Sequence, residues 1–360
     1  MSSDSVQTSV HKQHRNSNEA SSVLRQYILD DEVIVEGAYG SVFRAHCKQT
    51  LQTVAVKRMR TEDDDEGIPN STIREVALLK AADHLHIVKL LDICCSPGRM
   101  DLIFEYMPVN LRQFMKQHGK LECPVVRSLQ HQLMLGIDFC HARRLVHRDL
   151  GPPSVLLQVS SRSGGRSSLL LKIADFGLAR AFRLPLPRHS GGCGESSAGS
   201  TGGCCSSTDS SESSSCRVRG DEQHTASWCR APELLLGAQH YGPPVDLWSA
   251  GCIFAEMSSG VALFPGDSEI DTIFRIFHAL GTPTEVAFPP VDFPDFKRTF
   301  PQWPRRPWAN ISQVRTQLGP AGTKLLDDVL KYDPQERITS RRSLASFYFS
   351  MDSTSSPVDI

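Results

Sequence analysis

The feature that most constrains this chain is a change of hydrophobic period at one point. Up to about Tyr106 it runs in short β-rich segments, and after Met107 it runs in longer helical ones. Val33 to Val35, Ser41 to Ala45, Thr53 to Arg58 and Leu102 to Glu105 are rich in β-branched and aromatic residues and are bounded by turn residues. One helical stretch, Ser71 to Ala82, interrupts them, with Ile73, Val76, Ala77 and Leu79 at helical spacing. Helices are then expected at Leu111 to His118, Pro124 to Arg143, Pro243 to Ser259, Glu269 to Leu280, Gly319 to Tyr332 and Ser340 to Phe349. This order predicts an α+β chain: a small sheet lobe carrying one helix, then a larger helical lobe. A length of 360 residues is enough for both.

The expected organisation is a polar, Ser-rich extension at 1–24, a first lobe at 25–107, a second at 108–350 and a tail at 351–360. Two segments read as insertions. One is Gln158 to Ser168, which carries a Ser/Gly/Arg run. The other is Arg188 to Gly220, where Ser, Gly and Cys make up 22 of 33 residues, a composition that builds no core. A net charge of -1 gives no reason to expect nucleic acid or an acidic membrane as partner. No run of ~18 apolar residues predicts a membrane span, and the first residues have no apolar stretch of the kind a secretory signal needs. The 11 cysteines are therefore expected as reduced thiols in a nuclear or cytoplasmic protein, and of the seven scattered ones (Cys47, Cys94, Cys95, Cys123, Cys140, Cys229 and Cys252) most read as small buried side chains. Cys193, Cys204, Cys205 and Cys216, with His189 and His224 near them, lack the paired spacing of a zinc site. They read better as solvated thiols open to reversible oxidation.

Five motifs carry chemistry. Val35 to Val42 is glycine-bearing between two strands and could close backbone amides over phosphates, or be a bare turn. Val54-Ala55-Val56-Lys57 sets a lysine on a strand, with Glu75 on the following helix as its candidate partner. His147-Arg148-Asp149 is followed 26 residues after Asp149 by Asp175-Phe176-Gly177, which taken alone could be a plain turn containing Asp and Gly. Ala231-Pro232-Glu233 is matched by a late Arg337, and Asp246-Leu247-Trp248 follows it. Those last positions hold structure whether or not chemistry occurs.

In this order, from residue 33 to 349, the motifs resemble a eukaryotic protein kinase over nearly the whole chain. Gly67 to Glu75, Ala262 to Asp271, Leu280 to Pro283 and Phe300 to Trp303 are similar to the cyclin-dependent kinases, cell-cycle members above all. The resemblance implies the two-lobed kinase fold and an ATP- and Mg²⁺-dependent serine/threonine kinase, with a cyclin packed on the Pro69 to Lys80 helix. Its substrates would be proteins with Ser/Thr-Pro sites, for which Arg230 beside the substrate groove is suggestive. Lys57 and Glu75 would orient ATP, Asp149 would position the hydroxyl, and Asp175 with Ser154 would hold metal. Ile34, Val42, Ala55 and Leu156 would wall the adenine, Glu105 and Met107 would bind it at the hinge, and Asn110 would stand near the ribose. Glu233 would pair with Arg337, and Asp246 would brace the catalytic loop.

The chain also departs from that family. Gly151 and Ser154 stand where the family has the catalytic-loop Lys and Asn, and Ala226 stands where it has a Thr bridging the catalytic Asp and Lys. The 53 residues between Gly177 and Ala231 far exceed the family's activation segment. Counting back from Trp228 puts Asp221 at the activating Thr, where a carboxylate could partly mimic phosphate on Arg74, Arg148 and Arg180. The other reading is that so long a loop makes the counting meaningless. Tyr39 matches an inhibitory tyrosine, or simply covers the site. Two functions follow: an active or slowed kinase, or a cyclin-binding pseudokinase scaffold. Lys57, Glu75, Asp149 and Asp175 favour the first. Gly151, Ser154, Ala226 and the long segment favour the second.

Overall fold

A computed structural model describes residues 26–37, 40–59, 76–77, 79–80, 82–96, 99–161, 167–176, 179–181, 227–238, 241–283, 295–297, 299–304 and 312–350. Glu75, Arg74, Tyr39, Asp221, Ala226, the Arg188 to Gly220 insertion and most of the Ser71 to Ala82 helix lie outside these residues. Within that helix, residues 76–77 and 79–80 are helical.

Five antiparallel strands form the first sheet, in the order β1-β2-β3-β5-β4: β1 (Tyr27–Gly37), β2 (Gly40–Cys47), β3 (Thr53–Met59), β4 (Leu90–Ser96) and β5 (Arg99–Glu105). Each of the four expected β-rich runs lies inside one of them, and β4 is a strand that the sequence reading did not single out. Side chains alternate between the faces of a strand. On β3, Val54 and Val56 therefore enter a small cluster with Ala45 and Ile103, while Ala55 packs against the main core. Lys57, two residues on from Ala55, shares its face, opposite Val42 of β2 and Leu102 of β5. Gly40 begins β2 at φ 139°, and a Cβ there would lie 1.9 Å from the Arg58 carbonyl oxygen, so only glycine fits.

The helical part contains α1 (Leu111–His118), α2 (Cys123–Ala142), α3 (Pro232–Leu235), α4 (Pro244–Ser259), α5 (Glu269–Leu280), α6 (Ser312–Val329), α7 (Ser340–Leu344) and α8 (Phe347–Ser350). Nearly every residue of α4 is buried, as expected for a helix apolar all round at the centre of a core. Trp248 and Phe254 of α4 share one hydrophobic cluster with Leu129 and Leu133 of α2. Among the described residues, no helix is long and apolar enough to cross a membrane.

The stretch Gln158 to Ser168, read as an insertion, is described at 158–161 and 167–168. Its ends extend a hairpin, β8 (Val155–Ser161) with β9 (Ser167–Ile173), and the register runs out to Ser161 opposite Ser167. Backbone pairing proceeds there although the side chains offer no core. Two expected helix bounds are corrected. A helical segment from Ser312 precedes the expected one and joins it through Gly319, whose φ of 64° and ψ of -177° are non-helical. The last helix is two, since α7 ends at Leu344 and α8 begins at Phe347.

Two short pairings set the site. β6 (Val109–Asn110) joins β8 and β9 in a three-stranded sheet, and β7 (Leu145–Val146) pairs with β10 (Arg180–Ala181). The turn that follows β7 and the turn that follows β9 carry the two candidate carboxylates.

Candidate active site

Asp149 lies in the turn after β7, and Asp246 of α4 holds that turn. The Asp246 carboxylate accepts the backbone N–H of His147 on Oδ2 at 2.9 Å and that of Arg148 on Oδ1 at 2.9 Å. His141 Nε2 lies 3.0 Å from Oδ2. Burial raises the Asp246 pKa, but the hydrogen bond and charge of His141, with help from His147, outweigh it and hold the carboxyl below its ordinary value. These bonds support an Arg148 backbone at φ 73°, a left-handed conformation that non-glycine residues rarely adopt. The Arg148 guanidinium donates to the Tyr241 hydroxyl and lies over its ring.

Asp175 follows β9 and is also left-handed, at φ 65°. The two carboxylate turns are joined by backbone and imidazole. His147 Nε2 lies 2.9 Å from the Ala174 carbonyl oxygen, the Ala174 N–H donates to the Ser154 carbonyl at 2.9 Å, and the His147 ring meets Phe176 edge-on at 4.9 Å. Across from them, Lys57 Nζ donates to Asp175 Oδ1 at 3.0 Å. Lys57 and Asp175 thus meet, and the turn that carries Asp149 is tied to the turn that carries Asp175 through His147, Ala174 and Ser154.

The remaining site residues are placed unevenly. Ile34 is exposed, Val42, Ala55 and Leu156 are half-buried, and Met107 is buried. The Glu105 carboxylate is already engaged, accepting from Lys172 Nζ and from the Lys89 N–H, both at 2.7 Å. Asn110 caps α1: its side-chain oxygen accepts the Gln113 N–H at 2.8 Å, and Gln113 Oε1 accepts the Asn110 N–H in return. The Ser154 hydroxyl is spent inside its own turn. It accepts from the Gly151 N–H and donates to the Gly151 carbonyl, each at 3.0 Å. Of the two expected metal ligands, Asp175 keeps an open face, with 45% of its side chain exposed. That suits a hard divalent cation held by one or two carboxylates together with nucleotide phosphates.

Three contacts escaped the sequence reading: Lys172 with Glu105, Ser154 with Ala174, and Arg230 with Asp149. The first and third join segments far apart in the chain, the second continues the β8–β9 hairpin past its first pair, Val155 opposite Ile173, and no local period announces any of them.

The supporting pair did not escape it. Glu233 and Arg337 form a bidentate ion pair, at 2.5 Å and 2.7 Å. Further along α4, Glu256 accepts from Trp228 Nε1 at 3.3 Å. Burial raises its pKa, and the Trp228 hydrogen bond and the charge of Arg112 only partly offset that. A carboxyl with a raised folded-state pKa contributes full stability below its unfolded value near 4.5 and loses it as pH rises through the folded value. Glu256→Gln keeps the acceptor and removes the buried charge. Its melting temperature is therefore expected to exceed the parent's at neutral pH, with the difference shrinking on acidification. A variant equal to or below the parent at neutral pH contradicts this.

Of the seven scattered cysteines only Cys140, Cys229 and Cys252 are buried; Cys47, Cys94 and Cys123 are half-buried and Cys95 is exposed, which corrects the expectation that most are buried, because Cys47, Cys94 and Cys95 lie on strands of the first sheet and not in the helical core. Burial pushes the Cys140 thiol up to about 12 and Cys229 well above its ordinary value, so neither is a ready nucleophile. The family model for the protein kinase domain matches residues 29–197 and 203–349 of the chain.

Proposed function

We propose that this chain, which belongs to the protein kinase family, transfers the γ-phosphate of ATP to serine or threonine hydroxyls, and does so slowly. The observation that carries this reading is the 3.0 Å contact of Lys57 with Asp175, in a site whose Asp149 turn is locked by Asp246. A family that uses ATP and a divalent metal needs these three side chains first. In this reading the lysine orients phosphates, Asp175 takes Mg²⁺, and Asp149 positions and deprotonates the acceptor. The likeness of Gly67 to Glu75 and Ala262 to Asp271 to cyclin-dependent kinases supports the finer form. There a cyclin packs on the Pro69 to Lys80 helix, the substrates carry Ser/Thr-Pro sites, and the protein works in the nucleus or cytoplasm.

Slowness follows from Gly151 and Ser154. One electrostatic stabiliser is worth roughly 10²–10³ in rate, and kinases run at about 1–100 s⁻¹. The Ser154 hydroxyl, bonded within its turn, offers a metal less than an asparagine oxygen would. Gly151→Lys combined with Ser154→Asn is expected to raise kcat by about 10²-fold, measured with saturating ATP·Mg²⁺ and a Ser-Pro peptide. The gain stops short of two full effects because losses within one site are non-additive.

The engaged Ser154 hydroxyl also favours a second reading, a cyclin-binding pseudokinase scaffold. The two readings separate in one experiment on the purified chain: phosphate transfer from labelled ATP alongside thermal shift with ATP and Mg²⁺. Transfer that depends on Asp149 supports the kinase. Binding without transfer, in parent and double variant alike, supports the scaffold.

A further inference from the structure

The cation missing at Gly151 has a neighbour able to replace it. Arg230 Nη2 donates to Asp149 Oδ1 at 3.4 Å, and Arg230 Nη1 donates to Glu269 Oε1 at 3.1 Å. The Asp149 side chain is only 10% exposed, and that of Arg230 is 27% exposed. The backbone that carries Arg230 and the backbone that carries Glu269 are each anchored. Arg230 follows Cys229, which is buried and whose carbonyl accepts from Ser249 Oγ of α4 at 2.8 Å. Glu269 opens α5, where Ser268 caps the helix by accepting the Asp271 N–H. Gly151, two residues beyond Asp149, brings no side chain to that carboxylate.

We propose that Arg230 is a positioning residue for phosphate transfer, supplying at Asp149 the positive charge that the catalytic-loop lysine supplies in a typical kinase. Guanidinium is charged at every working pH and presents five donors in a rigid fork. With one arm on Glu269 and one on Asp149, it fixes the direction of the base. The contact enters from the segment just before α3 rather than from the catalytic turn, so the turn can carry glycine at 151 without leaving Asp149 unpartnered.

This inference rests on the kinase reading. The test uses the full chain, ATP·Mg²⁺, a basic Ser-Pro peptide as acceptor, and Asp149→Asn as background. Arg230→Ala is expected to lower kcat by about 10²-fold with KM for ATP unchanged, because Arg230 acts through Asp149 and not on nucleotide. Gly151→Lys is expected to add less than about tenfold to the parent and to recover at least about tenfold in Arg230→Ala. A purely architectural arginine, one that merely ties down Glu269, would not be rescued by a lysine placed two residues beyond Asp149. An Arg230→Ala enzyme as fast as the parent overturns the inference, and so does an Arg230→Ala loss that Gly151→Lys leaves unrepaired. A silent parent with an active Gly151→Lys variant overturns it too and leaves the kinase reading standing. Parent and Gly151→Lys both at the Asp149→Asn background overturn the kinase reading and this inference with it.

Discussion

Asp149→Asn is expected to cut phosphate transfer by about 10³-fold, the middle of the range for removing one general base. The substitution is close to isosteric. The amide keeps an oxygen to accept from Arg230 Nη2, which lies 3.4 Å from Oδ1 in the parent. It leaves untouched the Asp246 bonds that hold the His147 and Arg148 backbone. Geometry is therefore preserved while the proton acceptor is removed, so the loss falls on kcat. Lys57 and Asp175, the pair expected on the nucleotide side, are unchanged, and ATP-induced thermal shift should match the parent. Single-turnover transfer from labelled ATP to a Ser-Pro peptide reads the effect. A variant that retains more than about a tenth of the parent rate removes Asp149 from the role of base.

That prediction could be framed from sequence because the residues involved lie in contiguous motifs. His147 to Asp149 and Asp175 to Gly177 are short contiguous runs whose order is read directly from the sequence, although the bonds from Asp246 that hold the first of them are not. The strands around Lys57 were legible for a similar reason: alternation on β3 sorts Val54 and Val56 to one face and Ala55 to the other. Distance in sequence limits the rest. That the Ser154 hydroxyl is spent on Gly151 depends on a one-turn geometry that the residue names do not reveal. That Glu105 gives its carboxylate to Lys172 requires two strands to be set side by side first. The contact of Arg230 with Asp149 requires the segment before α3 to be docked on α4. The hairpin of β8 and β9 shows the converse limit: Ser- and Gly-rich composition argues against a core, yet it does not prevent backbone pairing from running on past the buried residues.

Arg337→Ala is expected to destabilise the chain by about 3–5 kcal/mol, the cost of stranding one partner of a buried ion pair. The Arg337 side chain is 0% exposed and that of Glu233 is 2% exposed, so water cannot replace the lost guanidinium. More than the pair is at stake. Arg337 Nε donates to the Lys331 carbonyl at 2.7 Å, Nη2 to the Tyr332 carbonyl at 3.2 Å and Nη1 to the Pro244 carbonyl at 3.1 Å. Its guanidinium also lies over the Trp248 ring. One side chain thus ties α3, the start of α4 and the segment after α6, and α4 is the helix whose Asp246 sets the catalytic turn. Arg337→Lys keeps the charge but cannot form the two-pronged contact, so it should recover only part of the loss. Glu233→Leu combined with Arg337→Met removes both charges, and it should be clearly less destabilised than Arg337→Ala because no buried carboxylate is left without a partner. Urea unfolding of the four proteins measures this, provided the slopes agree, since a changed slope would mark altered compactness and not altered stability. An Arg337→Ala protein within about 1 kcal/mol of the parent would mean that Glu233 finds another partner. A double variant as unstable as Arg337→Ala would mean that the carbonyl contacts of Arg337, and not its pairing with Glu233, hold this end of α4.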